Sequence, residues 1–170
     1  MEVITRTNDQ RIDELEAAMF EAALDANSEI TFADCPLNHY FTPKLYVRQI
    51  LMPAGALITS EVHKTCHPFR VMQGTLYVQI DNGEWEKIQA PYAGVTKIGT
   101  RRVLYIEQDC AWETFHSLDF IVGDENELQY EEMMKVVDKC LEVLIEPHEN
   151  KVLGGTVFLN QITNTQKELQ

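Results

Sequence analysis

The middle of the chain, from about 36 to 122, consists of short apolar segments separated by turn-forming residues. The clearest example is the segment GTLYVQIDNGEWEKIQA, in which Leu76, Val78 and Ile80 fall on one face of a strand. The DNG that follows contains the Asn-Gly pair typical of a two-residue hairpin turn. This segment therefore predicts a β-hairpin.

Three more strands are predicted in the same region, in KLYVRQILM, TRRVLYIEQD and AWETFHSLDF. We expect the last two to be separated by a polar turn at Gln108 and Asp109. Strands repeated at intervals of about 8–12 residues, with turn signals between them, are typical of a β-sandwich or β-barrel.

Helices are predicted on both sides of the β-rich region, within what we interpret as a single domain of 170 residues. Apolar residues at helical spacing predict a first helix over 8–27 and a second over 126–146, which Pro147 ends. The C-terminal arm, 147–170, contains the short apolar run GGTVFLNQI. That run is compatible with an added strand, an arm on a neighbouring subunit, or a loose tail.

The chain is strongly acidic, with a formal net charge of −13. Such a charge repels phosphates, so we expect neither nucleic acid nor an anionic membrane as a partner. No apolar run approaches the roughly 18 residues needed to span a bilayer, and no signal peptide is expected. The four cysteines form no C-x-x-C motif, which favours reduced thiols and a cytoplasmic location.

One stretch, GALITSEVHKTCHPFRVMQG, places Glu61, His63 and His67 within seven residues. The chain has only five histidines, so this clustering needs an explanation. The three side chains could be metal ligands, an acid/base pair, or polar groups around a turn between strands. If Glu61 and His63 lie on a strand, their spacing of two residues directs them to the same face.

The spacing of this stretch resembles the first cupin motif, which reads G, five residues, H-x-H, three or four residues, E, six residues, G. Here Gly55 is followed after five residues by Glu61 and His63, then by His67, then after six residues by Gly74. The identities are exchanged, since Glu61 stands at the first histidine position and His67 at the glutamate position. The resemblance covers roughly 40–120 and implies a cupin-type double-stranded β-helix, which is a mainly β jelly-roll barrel, here with flanking helices.

The second cupin motif is poorly preserved. Of its pattern only Gly99 remains, and Arg102 stands where the histidine ligand is expected. In AWETFHSL one face carries, by period two, Trp112, Thr114, His116 and Leu118, so His116 is the candidate replacement. Several phrases of the sequence also look like those of small cupin proteins from bacteriophages.

The resemblance implies a divalent transition metal in the barrel, with His63, His67, His116 and Glu61 as candidate ligands. Imidazole nitrogens with a carboxylate suit Zn, Fe, Mn, Ni or Co. An open coordination position would remain for a small polar molecule. Candidate contacts to that molecule are Arg102, which could hold an anionic group, and the aromatic residues Trp112 and Tyr77.

Three functions are compatible with these features. The first is a metal-binding cupin that binds or transforms a small polar molecule. The second is a non-catalytic scaffold for assembly or interaction in a phage-infected cell, motivated by the helices and arm outside the barrel. The third is a metal-free enzyme of the sugar-epimerase kind, with a histidine base. Cupins frequently pair, so a homodimer is expected in each case.

Overall fold

The computed structural model describes residues 7–42, 44–80, 83–118 and 156–159, which form one helix and nine strands. The helix, α1, is Thr7–Leu24. The strands are β1 (Ile30–Phe32), β2 (Leu37–Thr42), β3 (Leu45–Met52), β4 (Ala56–Thr59), β5 (His67–Ile80), β6 (Glu86–Gln89), β7 (Tyr92–Thr96), β8 (Arg102–Ser117) and β9 (Thr156–Leu159). The helix predicted over 126–146 lies outside the described residues.

Two long strands, β5 and β8, organise the sheet. The first part of β5 pairs with β7 and its second part with β6, while β8 pairs with β4 near its start and β3 near its end. The two long strands also pair with each other, and all these pairs are antiparallel. Each long strand therefore passes from one set of partners to another, which curls the sheet into a barrel. The predicted mainly β jelly roll is confirmed, as is the N-terminal one of its two expected flanking helices.

The prediction of a turn at Gln108 and Asp109 is wrong, because β8 runs through both residues and is continuous over 16 residues. The pairing of β5 with β8 instead contains three register shifts around Gly74. Gly74 has φ of +91°, and a Cβ there would overlap the carbonyl oxygen of Asp109. Bulges of this kind bend a strand without ending it, so polar residues at a bend resemble a turn in sequence.

The C-terminal arm contributes a strand, β9, to the sheet of its own chain. Thr156–Leu159 pairs antiparallel with β1 on one side and with β4 on the other. Of the three alternatives for this apolar run, the structure therefore has the added strand.

The helix α1 is held against the barrel by a buried ionic group. Glu16, whose side chain is 0% exposed, lies 3.0 Å from Arg101, and the hydroxyl of Thr59 donates to the same carboxylate. Arg101 also lies 2.8 Å from Asp13. No helix in the described ranges is long and apolar enough to cross a membrane.

The barrel interior is apolar over most of its length. Leu76 and Val78 of β5 are buried as predicted, whereas Ile80, at the end of the strand, is 37% exposed. On β3 the interior face carries Tyr46, Ile50 and Met52 at alternate positions. This apolar interior gives way to polar side chains at one end, where the candidate site lies.

Candidate functional site

Three histidines converge inside the barrel, two from one short stretch and the third from β8. His63, His67 and His116 are all buried, and each offers a ligand atom within 4.8 Å of those of the other two. The ring centroid of His67 lies 4.4 Å from that of His63 and 4.5 Å from that of His116. The structure thus brings together the three imidazoles that the sequence singled out.

The position of each imidazole follows from the strand that carries it. His67 is the first residue of β5 and pairs with Thr96 of β7. His116 lies near the end of β8, opposite Tyr46 of β3, whose ring stacks on it at 5.6 Å. His63 lies between β4 and β5, and its carbonyl accepts a hydrogen bond from the backbone of Gly99.

Burial keeps these imidazoles neutral. Desolvation, with smaller contributions from neighbouring histidines and arginines, lowers the pKa of His63 to about 3. Burial and the nearby His67 and Arg48 lower the pKa of His116 to about 3 as well. The pKa of His67 is also lowered, mainly by burial. Neutral imidazole is the form that binds a metal ion.

Hydrogen bonds fix the orientation of two of the rings. Nδ1 of His67 donates to the carbonyl oxygen of Thr65 at 3.2 Å, which leaves Nε2 as its free acceptor. Thr114 donates its hydroxyl proton to the carbonyl of Arg48, so its oxygen accepts from Nε2 of His116 at 2.9 Å. The lone pair of His116 is then on Nδ1. Metal-binding histidines are commonly oriented by such outer hydrogen bonds.

The residues present fit a metal ion. Nδ1 of His63 and Nδ1 of His116 are buried, and neither has a hydrogen-bond partner among the described residues. A buried polar atom without a partner costs about 1–3 kcal/mol, and coordination of an ion removes that cost. Three neutral nitrogen donors with an open fourth position are the ligand set of many zinc and other transition-metal sites.

Glu61 does not belong to this group of ligand atoms. It lies beside the same cavity. Burial lowers the pKa of Arg48, and the negative charge of Glu61 offsets part of that lowering. The argument from strand alternation does not apply here, because β4 ends at Thr59 and the chain is irregular from Ser60 to Val62. The structure therefore gathers three histidines rather than two histidines and a carboxylate.

His63 and His67 line a cavity of about 190 Å³. This volume is below the roughly 300–1,000 Å³ of pockets for drug-sized ligands, so the cavity suits a small molecule. Arg102 lines it, with Nη2 donating to the hydroxyl of Thr96 at 3.0 Å. Trp112 also lines it and stacks on Phe69 with ring centroids 4.4 Å apart.

Tyr77 does not reach this cavity. Leu76 and Val78 point into the barrel, so Tyr77 between them points outward. Its hydroxyl donates to Glu107, and the ammonium of Lys87 lies 5.1 Å from its ring centroid.

One residue of the site, Arg48, was missed in the sequence. It lies on the interior face of β3 and lines the cavity. The signal was present, because Arg48 lies two residues from both Tyr46 and Ile50 on the same strand face. Thr114 was placed on the same face as His116 by period two, but its role in orienting that ring was not predicted.

No protein-family model matches the sequence, and no curated protein matches it significantly. Solved structures that resemble it include an RmlC-like cupin family protein with a double-stranded β-helix fold from Methanocaldococcus jannaschii, with 7% identity and a TM-score of 0.42. That match covers 55% of this chain and 92% of the other. A cupin-2 domain containing protein from Shewanella frigidimarina has 15% identity and a TM-score of 0.41, covering 51% and 82%.

The DMSP lyase DddQ from Ruegeria pomeroyi is similar to the same extent, with 9% identity and a TM-score of 0.44, covering 52% of this chain and 49% of the other. The solved structures that resemble this chain therefore include cupins. Sequence identities this low assign no ligand or activity to the site.

Proposed function

We propose that the protein binds a divalent transition metal through His63, His67 and His116, and that the adjoining cavity takes a small polar molecule. The observation that carries this proposal is the convergence of three buried, neutral imidazoles, two of which have a nitrogen without a partner in the described chain. Zn, Fe, Mn, Ni and Co all accept nitrogen ligands of this kind.

When bound, such an ion polarises a coordinated water or a substrate oxygen. The protein's own residues prepare the site for it. Thr65 and Thr114 hold His67 and His116 in the tautomers that expose a lone pair. The apolar walls, formed in part by Ile58 and Leu104, limit the entry of water.

The test is the metal content of protein purified without chelator and then incubated with each of the five ions. Inductively coupled plasma mass spectrometry is expected to find about one ion per chain. His63→Ala and His67→Ala are expected to lose it. His39→Asn is the matched control, since His39 is described and lies outside the three-histidine group.

Circular dichroism on each variant checks that the fold is retained. Wild-type protein that takes up none of the five ions stoichiometrically would contradict the proposal. So would folded His63→Ala and His67→Ala variants that retain the ion.

A further inference from the structure

Arg48, which is half-buried, brings a positive charge to the interior of the barrel. It lies on β3 between Tyr46 and Ile50, at the alternation that faces the core. Its Nε is buried and has no hydrogen-bond partner within the part of the chain that the structure describes. The hydroxyl of Thr114 donates to the Arg48 backbone carbonyl, so it provides no partner for Nε.

The charges that line the cavity do not cancel. Arg48 and Arg102 contribute two guanidinium groups, and Glu61 is the carboxylate among the described lining residues. The lining therefore carries more positive than negative charge before any metal ion is bound. Burial lowers the pKa of Arg48, which reflects the cost of a charge removed from water. A buried charge of this kind favours a bound anion.

The cavity is polar at one end and apolar beyond it. The strand register places Arg48 opposite Thr114, and the next interior pair along the same strands is Ile50 opposite Trp112. On the neighbouring strands Ile58 lies opposite Leu104. A ligand that fills this space therefore meets charge at one end and an apolar wall at the other.

We propose that the cavity binds a small monocarboxylate with a short apolar body. Its carboxylate lies against Arg48 and its body against Ile50 and Trp112. The planar guanidinium matches a carboxylate with two parallel hydrogen bonds. This inference rests on the proposed function, because it names the ligand of the same cavity.

A carboxylate fits better than inorganic phosphate. Phosphate has four oxygens to satisfy, and the side chains of Ile50 and Met52 offer no donors for them. The cavity volume of about 190 Å³ limits the body to a few carbon atoms.

The experiment is isothermal titration calorimetry of the full chain with butyrate, its neutral analogue butyramide, and inorganic phosphate. The variants are Arg48→Gln and Arg48→Lys. Arg70→Gln is the matched control, because Arg70 is an exposed arginine paired with Glu113 outside the cavity. Circular dichroism confirms that each variant is folded.

Butyrate is expected to bind wild type and Arg70→Gln equally and Arg48→Gln about tenfold to a hundredfold more weakly. Arg48→Lys is expected to fall between them, since lysine keeps the charge but loses the planar fork. Equal binding of butyramide and butyrate would overturn the inference. Tighter binding of phosphate than of butyrate would overturn it too, as would butyrate binding unaffected in both Arg48 variants.

Metal content is measured on the same samples, which separates the two claims. One ion per chain without Arg48-dependent butyrate binding contradicts this inference and leaves the metal site standing. Arg48-dependent butyrate binding in protein that takes up no ion contradicts the metal site and supports the carboxylate ligand.

Discussion

Nε2 of His116 lies 2.9 Å from the hydroxyl oxygen of Thr114, two residues earlier on the same strand. Both side chains face the barrel interior, and the threonine hydroxyl in turn donates a hydrogen bond to the backbone carbonyl of Arg48. This contact decides which nitrogen of His116 keeps its lone pair, and it does so without a charged group.

Removal of this hydroxyl is expected to weaken metal binding. In Thr114→Val the ring of His116 loses the acceptor for Nε2–H, and loss of such outer hydrogen bonds commonly lowers metal affinity about 10- to 100-fold. Competition with a chromogenic chelator measures the affinity. Thr114→Ser keeps the hydroxyl and should bind the ion as wild type does. Equal affinity in the valine variant would show that the contact does not orient the ligand.

The buried ion pair between α1 and the barrel is expected to be a large contribution to stability. Glu16→Ala removes one of the two carboxylates that lie beside Arg101, whose side chain is 2% exposed, and leaves that of Asp13. Removing one member of a buried pair costs about 3–5 kcal/mol. Urea denaturation measures the loss.

Glu14→Ala is the control for that experiment, because Glu14 lies on the exposed side of the same helix. Its effect should stay within about 0.5 kcal/mol, as for other surface substitutions. A Glu16→Ala variant that is as stable as Glu14→Ala would mean that α1 does not depend on this pair for docking.

The bend in the two long strands is expected to require glycine at position 74. Gly74→Ala places a methyl group against the Asp109 carbonyl and within 2.8 Å of the Cα of Cys110, in a backbone with positive φ. Positive φ alone costs about 1–3 kcal/mol for a non-glycine residue, and the overlap adds to it. A thermal melt should therefore show a clear fall in midpoint, and an unchanged midpoint would contradict the described register.

The cysteines are expected to differ sharply in reactivity. Burial raises the pKa of Cys110 to about 12, so its thiol is neutral at pH 8 and also shielded, at 3% exposure. Cys66 is exposed. Iodoacetamide at pH 8, followed by peptide mass mapping, should modify Cys66 well before Cys110. Modification of both at the same rate in folded protein would be inconsistent with the barrel interior described here.

Much of the architecture could be predicted because it follows from local pattern. The alternation of Leu76 and Val78 located the hairpin, and that of Trp112, His116 and Leu118 placed a histidine inside the barrel. The same rule, applied evenly, would have included Arg48 and excluded Tyr77. Both errors came from weighing residue type above position on the strand.

Other features could not be read from local pattern. Glu61 was expected to follow strand alternation, but the strand ends two residues before it, and strand ends depend on tertiary pairing. The continuity of β8 through Gln108 and Asp109 depends on bulges opposite Gly74, which is far away in sequence. Sequence alone also did not show that Thr156–Leu159 completes the sheet between β1 and β4.

The most direct measurement is an anomalous difference map from a crystal of metal-loaded protein, recorded at the absorption edge of the ion. The account predicts one strong peak enclosed by His63, His67 and His116, with nitrogens at about 2.0–2.1 Å if the ion is zinc. A map without a peak at that position, from protein in which the three rings hydrogen-bond to water or to one another, would contradict it.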